Sequence, residues 1–394
     1  MSKDERGIWD PVSSQADREA SNQRIRVHEP DLGAAEIEAV VACLRAGEIS
    51  GHAPIVSRFE EALARQIGVA HALAVSSGTS ALHLALLALD PKSGPKSGYE
   101  VIVPSFSFAP CADVVVHAGG RPLFVDSEPN TFCVDVDEVA RAIGPRTRAV
   151  MAVHLYGHPC DMPALRALCD RRGVALIEDA AQGFGARVGG RAAGQWGDLG
   201  CTSFYANKGI TTGEGGAVFT DDARLAERVR QLRNHALSRG GAPYLHDECA
   251  FNFRMPALCA ALGLAQLTRL DELMRRRQAR DALYRTRLAD VPGLQFPNAA
   301  AHCDRHAHWC HVVTLDPQHA RRDTTAVART LAEQGIETRR FYHPLHLHSP
   351  YAYGGPSLPR CEAFATRGLV LPSGNATSLQ DIERVCEAMR GLLL

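Results

Sequence analysis

The chain has 394 residues, of which 45% are hydrophobic and 22% are charged, and its formal net charge at pH 7 is −1. A chain of this length and composition can bury a large apolar core and usually divides into two domains. Because the charges are balanced and interspersed, nothing in the composition favours nucleic acid, a polyanion or a membrane surface as a partner.

The N-terminal segment and the cysteines indicate the compartment. Residues 1–24 carry mixed charges without the apolar stretch of a signal peptide, and no apolar run is long enough to span a membrane. The twelve cysteines are scattered singly, without a CxxC pair, which is typical of reduced cytosolic thiols. We therefore expect a cytoplasmic protein without membrane association, with a polar N-terminal arm over residues 1–27.

The first two thirds of the chain alternate short apolar runs with helix-like segments. The predicted strands carry the sequences HALAVSS, YEVIVPS, RPLFVD, RAVMAVHLYG, VALIEDAAQ and GAVFTDD. Runs of this length, bounded by Gly, Pro or Asp and separated by helical periodicity, are typical of buried strands in a largely parallel sheet. The sequence thus predicts a large α/β domain over residues 28–255.

The last third of the chain predicts a linking helix and a smaller α+β domain over residues 256–394. From Met255 to Asp290 apolar residues recur at three and four positions, which predicts one or two long helices with Pro256 as the first helical residue. Beyond them, HVVTLD predicts a strand, AVARTLAEQG a helix, IETRRFYHPLH an extended segment and DIERVCEAMRGLLL a final helix.

A turn after the first predicted strand is a candidate phosphate site. In AVSSGTSALHLAL the strand runs through Ser77, Gly78 and Thr79 directly into a helix, so unpaired backbone N–H groups lie at the positive end of the helix dipole. Gly78 permits close approach and Thr79 offers a hydroxyl. An ordinary N-cap explains the same residues, because Ser and Thr are favoured there. Both interpretations stay open at this point.

Two acidic residues end the predicted strand VALIED. Glu178 and Asp179 lie where ligand-facing residues of open α/β sheets collect, and a carboxylate buried there needs a cation. A protonated cofactor ring is one such cation, whereas capping of the next helix is the alternative. Gln182, about one helical turn after Asp179, is expected on the same side.

Lys208 lies among glycines, threonines and small polar residues in SFYANKGITTGEGG. An amine acts as a nucleophile only if desolvation or a neighbouring cation lets it lose its proton near neutral pH. Most lysines are solvated surface charges, so Lys208 gains significance only from the order of the motifs: phosphate turn, strand-end carboxylate, then Gly-flanked lysine.

In this combination the chain resembles the DegT/StrS type of PLP-dependent sugar aminotransferases, from about Val27 to the C-terminus. The resemblance implies the type I PLP-dependent aminotransferase fold, with a large, mostly parallel sheet domain and a smaller α+β C-terminal domain. It rests on the segments GEISGHAPIVSRFEEALARQIGV, SSGTSALHLAL, VIVPSFSF, LFVDSEPNTF, LIEDAAQGFGA, GDLGCTSFYANKGITTGEGG, FNFRMPALCAALGLAQL and FYHPLHL.

The resemblance implies a role for each candidate residue toward pyridoxal 5′-phosphate (PLP). Lys208 is the catalytic lysine that forms the Schiff base, and Asp179 pairs with the ring nitrogen. The remaining contacts are Gln182 to the phenolic oxygen, Phe108 over the ring face, and Gly78, Thr79 and Ser203 around the phosphate.

The resemblance also implies a homodimer with shared active sites. In relatives, the asparagine that matches Asn252 reaches the phosphate bound by the neighbouring subunit. Arg254, two residues later, is interpreted either as a contact to substrate carboxylate or phosphate, or as a salt bridge that holds its loop. The chain departs from the family's usual pattern in a longer turn at residues 90–98 and in Gly209, where a larger residue is common.

The implied reaction is transamination of a nucleotide-linked keto-deoxysugar with L-glutamate as amino donor, for surface polysaccharide such as lipopolysaccharide O-antigen. The segment ITTGEGG looks most like the branch that makes GDP-perosamine from GDP-4-keto-6-deoxymannose. The alternatives are a 3- or 4-keto sugar linked to dTDP or UDP, and a non-catalytic regulatory or scaffold paralogue. A dehydratase-like branch carries histidine in place of the lysine, so Lys208 argues against it.

Two histidine-rich segments resemble metal sites only in composition. In HCDRHAHWCH, the alternation of His308, Cys310 and Val312 indicates a strand rather than the spacing of a zinc site, so no metal is expected. In YHPLHLH, His343 and His346 are explained equally by a substrate pocket and by turn packing.

Overall fold

The computed structural model describes residues 24–89, 98–238, 244–351 and 355–394. Most of the predicted arm and most of the predicted turn at residues 90–98 therefore lie outside the described residues. The strands within the described ranges, numbered in chain order, are β1 His71–Val75, β2 Glu100–Pro104, β3 Arg121–Val125, β4 Thr147–Val153, β5 Ala175–Asp179, β6 Arg187–Val188, β7 Arg191–Ala192, β8 Leu199–Ser203, β9 Gly216–Thr220, β10 Leu294–Gln295, β11 Cys303–Arg305, β12 His311–Leu315, β13 Arg339–Arg340 and β14 Gly368–Leu371.

Helices cover these strands and connect them. The α-helices of the same ranges are α1 Ala34–Ala46, α2 Pro54–Ile67, α3 Gly78–Ala88, α4 Pro110–His117, α5 Val136–Ala142, α6 Met162–Arg172, α7 Ala223–Leu232, α8 Ala257–Thr268, α9 Leu270–Arg287, α10 Thr324–Glu333, α11 Pro359–Arg367 and α12 Leu379–Leu393. Short 3-10 turns lie at Leu155–Gly157, Leu345–Leu347 and Ser349–Tyr351. Among the helices so described, none is both long and apolar enough to cross a membrane.

The main sheet has seven strands in the order β1-β9-β8-β5-β4-β2-β3. The strand β9 runs antiparallel to both of its neighbours, and the other pairs are parallel, as the sequence predicts. The strand β8 was not predicted, because LGCTS lacks the apolar run that marks the other strands. Its five residues are nevertheless buried between β5 and β9.

Alternate residues of the main sheet enter two different cores. Along β1, Leu73 and Val75 pack into one hydrophobic cluster, whereas Ala72 and Ala74 pack into the other with Phe59 of α2. Successive side chains of a strand point to opposite faces, so apolar residues at every position require helices on both faces. This layering holds the ends of the parallel strands in a fixed arrangement.

Two consecutive helices leave the sheet, as predicted. The helix α8 packs against α1 and α2. Pro256 occupies the N-cap rather than the predicted first helical position, one residue from expectation. The helix α9 then contacts α12, and its Tyr284 is buried in the third hydrophobic cluster.

The C-terminal part forms an antiparallel sheet in the order β10-β12-β14-β13. The helices α10 and α12 pack on it around a core that includes Val313, Leu369 and Ile382. At the end of the predicted arm, Ile25 bridges Ile336 and is buried in the same core. The strand predicted across His308, Cys310 and Val312 starts only at His311, and His308 has a left-handed φ of 45°, so that prediction is wrong for the first two residues.

Candidate active site

The predicted site residues come together where parallel strands end. Asp179 is the last residue of β5, Ser203 is the last residue of β8, and Gly78 follows β1 by three positions. Lys208 lies in the connection from β8 to β9. Carboxyl ends of parallel strands form the usual ligand crevice of open α/β sheets, so the fold itself explains why these distant residues meet.

Neighbouring residues of the candidate phosphate turn have different roles. Ser77 is the N-cap of α3, and its Oγ accepts a hydrogen bond from the Ser80 amide at 3.0 Å, so the capping interpretation is correct for Ser77. The amides of Gly78 and Thr79 have no acceptor among the described residues. The turn therefore keeps free donors at the positive end of the helix dipole, as an anion site requires.

Gly78 lies against Ser203, the other predicted phosphate contact. A Cβ atom placed on Gly78 would lie 2.6 Å from Cβ and 3.1 Å from Oγ of Ser203. Real carbon atoms do not approach this closely without displacement. Only glycine lets the turn and the end of β8 meet, which brings the free amides of the turn beside the Ser203 hydroxyl.

We expect Gly78→Ala to weaken PLP binding by about 10–100-fold, because inserting a methyl group into a packed contact costs about 1–3 kcal/mol. The dissociation constant of PLP for the apoenzyme is the measurement. Gly144→Ala is the matched control, since nothing lies within 4 Å of a Cβ atom at Gly144. Equal constants for the two variants would contradict the packing explanation.

The two strand-end carboxylates point to opposite sides and have different surroundings. Glu178 is fully buried, and its oxygens accept hydrogen bonds from His154 Nε2 at 2.7 Å and from the amides of Gly194 and Trp196 at 2.7 and 2.8 Å. All of its partners belong to the protein itself. Glu178 is therefore a structural residue rather than a ligand contact.

The buried carboxylate of Asp179 has fewer hydrogen-bond partners within the protein than that of Glu178. Its side chain is 8% exposed, and Oδ1 accepts a single hydrogen bond from the Ala181 amide at 2.9 Å. Burial raises the pKa of Asp179, and the hydrogen bond and Lys208 only partly oppose this. No basic group of the described residues forms an ion pair with Asp179. A protonated ring nitrogen would supply the missing cation, so this carboxylate fits PLP.

Gln182 is held beside Asp179 with one donor turned outward. It is 5% exposed, its Oε1 accepts a hydrogen bond from the Tyr156 amide at 2.8 Å, and its Nε2 lies 3.4 Å from the hydroxyl of Tyr342. The bond to Tyr156 fixes the amide so that the NH₂ group is directed toward Tyr342, and one of its two protons remains free to donate to another acceptor. This orientation agrees with the predicted contact to a cofactor oxygen, which stays a prediction.

Lys208 lies over an aromatic ring that the sequence did not identify. Its Nζ is 4.1 Å from the ring centroid of Trp309, and the Trp309 Nε1 donates to the Asn207 carbonyl at 2.8 Å. The His28 ring stacks on Trp309 at 5.4 Å. Burial lowers the pKa of Lys208 to about 8, although Asp179 acts in the opposite direction. Lys208 is thus partly neutral near physiological pH, as a nucleophile must be.

The lowered pKa predicts how PLP binding depends on pH. Only the neutral amine attacks the aldehyde, so the rate at which apoenzyme gains the visible band of lysine-bound PLP should rise with pH and level off above about 8. A solvated lysine would continue to gain rate toward its ordinary pKa of about 10.4. Stopped-flow absorbance across this range is the measurement, and a rise that continues past pH 9 would contradict the desolvated environment.

Arg277 of α9 is a second residue that the sequence did not identify. It is fully buried, its Nη2 lies 3.2 and 3.3 Å from the carbonyls of Lys208 and Gly209, and its Nε donates to Asn375 at 2.9 Å. A Cβ atom at Gly209 would lie 3.5 Å from Arg277 Nη1. The Phe184 carbonyl oxygen would lie nearer, at 3.3 Å, so the guanidinium is only in ordinary van der Waals contact with this position and does not require a glycine there.

Phe108 and Asn252 lie on the open side of the site. Phe108 is 58% exposed, and its ring centroid lies 6.0 Å from that of Tyr342. Asn252 is exposed, with no side-chain hydrogen bond in the described part of the chain, while Phe253 next to it accepts a bond from the Ser76 amide at 2.9 Å. The structure thus places Asn252 near the phosphate turn but does not join it to the other candidates.

Local contacts are present for two residues that had alternative interpretations. Arg254 donates a hydrogen bond to Asn234 Oδ1, and the described residues offer it no salt bridge, so a contact to substrate stays a prediction. His346 Nδ1 lies 2.7 Å from Ser105 Oγ, and its Nε2 lies 3.3 Å from Glu362, which supports the packing interpretation for this histidine. All twelve cysteines are free thiols.

The chain matches the model of the DegT/DnrJ/EryC1/StrS aminotransferase family over residues 30–390. It belongs to this family. The aminotransferases of the family depend on PLP, so the predicted enzyme class, cofactor and fold class are confirmed.

Named relatives cover nearly the whole chain of this aminotransferase. It is 36% identical to GDP-perosamine synthase of Vibrio cholerae and 38% identical to that of Caulobacter vibrioides, over 93% and 94% of the chain and 98% and 99% of the relatives. The crystal structure of DesI in the presence of its TDP-sugar product matches with a TM-score of 0.85 and 36% identity, over 93% of this chain and 92% of DesI.

Proposed function

We propose that this aminotransferase transfers an amino group from L-glutamate to the keto carbon of a nucleotide-linked deoxysugar, with GDP-4-keto-6-deoxymannose as acceptor and GDP-perosamine as product. The observation that carries this proposal is the similarity to two GDP-perosamine synthases along almost the whole chain. The product would serve surface polysaccharide such as O-antigen, and the enzyme would act in the cytoplasm.

The chemistry divides between the cofactor and the residues of the site. Bound PLP supplies an aldehyde that exchanges nitrogen and a ring that accepts an electron pair. Asp179 would hold a proton on the ring nitrogen, and Gly78, Thr79 and Ser203 would hold the phosphate. Phe108 and Gln182 would fix the ring. Lys208 Nζ, neutral in part at pH 7, would take the proton from the substrate carbon and deliver it to the cofactor carbon that carried the aldehyde, C4′.

A TDP- or UDP-linked keto sugar is the second candidate substrate. DesI, which was crystallised with its TDP-sugar product, is as similar to this chain as the GDP-perosamine synthase of Vibrio cholerae, at 36% identity in each case. Overall similarity therefore does not tell whether the substrate carries GDP, TDP or UDP, because the nucleotide is recognised by the residues that line the pocket.

A screen of keto sugars tests the proposal directly. The holoenzyme is incubated with L-glutamate and GDP-, dTDP- or UDP-linked 3- and 4-keto-6-deoxysugars, and release of 2-oxoglutarate is followed. We expect the highest kcat/KM with GDP-4-keto-6-deoxymannose. Faster turnover of a dTDP or UDP substrate would overturn the nucleotide assignment, and dependence on another amino donor would overturn the glutamate assignment.

We further propose a homodimer in which each site uses Asn252 from the other subunit. Two features support it: the exposure of Asn252 beside the phosphate turn and the large exposed area of Phe108 at the mouth of the site. Because both side chains are exposed, a second subunit can reach them. We also retain the division into a large domain over residues 28–255 and a small domain over 256–394. The seven- and four-stranded sheets support it, and a short third sheet joins the two ranges through the pairing of β11 with β6.

Mixing two inactive variants tests the shared site. Lys208→Ala and Asn252→Ala chains, each inactive alone, should regain up to about a quarter of wild-type activity after they are unfolded and refolded together, because half of the random dimers would contain one intact site. Recombined samples of each variant alone are the controls. No recovery, in mixtures that do form mixed dimers, would count against sharing.

A further inference from the structure

Three potential metal ligands meet at the contact between α9 and the start of β12. Asp281 Oδ1 lies 3.4 Å from His308 Nδ1 and 3.6 Å from His311 Nδ1, and one ligand atom of each residue lies within 4.8 Å of the others. The histidine-rich composition of HCDRHAHWCH was noted in the sequence, but a metal site was not expected there, because the third ligand comes from a distant helix and the segment was interpreted as a strand.

The most buried histidine of the group makes no hydrogen bond through its ring within the described part of the chain. The His311 side chain is fully buried, and neither ring nitrogen has a hydrogen-bond partner among the described residues. A buried imidazole with two unused nitrogens is unusual, since nearly all buried polar groups are paired. Its amide is satisfied by Ser373 Oγ at 2.8 Å, so only the ring remains without compensation.

The spacing suits a small cation with nitrogen and oxygen ligands. Tetrahedral zinc with bonds of about 2.0–2.1 Å requires ligand atoms about 3.3–3.4 Å apart. The two distances to Asp281 Oδ1 are close to this value. We propose that Asp281, His308 and His311 bind a zinc ion, with water as the fourth ligand. The proposal does not depend on the substrate or on the amino donor.

Contacts with neighbouring groups orient the proposed ligands. Arg285 Nε donates to Asp281 Oδ2 at 2.7 Å, which leaves Oδ1 for the ion, and ligating carboxylates are commonly oriented in this way. The His306 ring stacks on His308 at 4.2 Å, and its Nδ1 accepts from the His308 amide at 2.8 Å.

A cavity gives access to the proposed zinc site, and an ion bound there would restrain the segment that packs over Lys208. Asp281 and His308 line a cavity of about 410 Å³, through which an ion and its water ligand can enter. The positive charges of Arg280 and Arg285 act against a cation, so we expect weaker binding than at cysteine-rich structural sites. The two histidines flank Trp309, so the ion would fix the segment that packs over Lys208.

Metal titration of the holoenzyme tests the proposal. After treatment with chelator and desalting, we expect one Co²⁺ per chain with the visible absorption of a tetrahedral site, displaced by one Zn²⁺. His308→Ala and Asp281→Asn should each weaken Zn²⁺ binding by more than the roughly 10–100-fold typical of losing an outer-shell partner. His302→Ala, in the same segment but outside the cluster, should bind as the wild type does.

Two results would overturn the site. One is wild-type holoenzyme that binds no Co²⁺ or Zn²⁺ beyond the amount bound by His308→Ala. The other is equal affinity in the wild type and in both ligand variants. X-ray absorption of the zinc-loaded wild type needs no variant to fold: scattering from two imidazoles supports the site, and the absence of imidazole scattering excludes it.

Discussion

Replacement of Lys208 with alanine should lower kcat/KM for transamination by about 10⁴-fold or more, since a positioned acid-base group alone contributes about 10²–10⁴-fold. The variant loses both the amine that binds the cofactor and the group that moves the proton. Purified protein should also lack the visible band of lysine-bound PLP. Steady-state kinetics and an absorbance spectrum measure the two effects independently.

The lysine content of the chain makes the chemical test specific. The chain has only four lysines, Lys3, Lys92, Lys96 and Lys208. Borohydride reduction of the holoenzyme followed by peptide mapping should place the label on Lys208 alone. A control chain with arginine at the other three positions should keep its band, its label and its activity.

Two results would contradict this prediction. A label on another lysine, or turnover near the wild-type rate in Lys208→Ala, would remove this residue from the mechanism. Thermal unfolding separates a chemical effect from misfolding. Because burial disfavours the charged form of Lys208, its removal should not lower the unfolding midpoint when the two apoenzymes are compared.

The site residues that could be predicted from the sequence are those that a pattern within a single segment identifies. Asp179 ends an apolar run, Gly78 joins a strand to a helix, and Lys208 stands among glycines, so periodicity and turn chemistry place all three at the carboxyl edge of a parallel sheet. The layers of the large domain follow from the same patterns, and the separate C-terminal sheet from its own strand and helix signals. The family resemblance gave those positions their chemical roles.

Residues that depend on contacts between distant segments were not predictable. Trp309 reaches Lys208 only because a loop before β12 folds back over the large sheet, about a hundred positions later in the chain. Arg277 lies in a basic helix half that would normally be solvated, yet it is fully buried against the Lys208 carbonyl. The strand β8 has no apolar signature because its small residues suit a position between two neighbouring strands.

Asp179→Asn should cut turnover by about 10²–10³-fold or more, the range in which one preorganised electrostatic contact contributes to catalysis. Asparagine keeps the shape of the side chain and can still accept the Ala181 amide bond, but it cannot hold a proton on a ring nitrogen. PLP should still bind to Lys208. We therefore expect a yellow, folded protein with low kcat, measured by steady-state kinetics beside thermal unfolding.

Glu178→Gln is the matched control because it changes the neighbouring carboxylate in the same way on the opposite face of β5. Its side chain accepts bonds from His154 and from the amides of Gly194 and Trp196, and an NH₂ group would face some of these donors. Each unpaired buried group costs about 1–3 kcal/mol, so the unfolding midpoint should fall while kcat of the folded fraction persists. If instead both variants lose turnover equally, or Asp179→Asn turns over at nearly the normal rate, Asp179 does not act through the ring nitrogen.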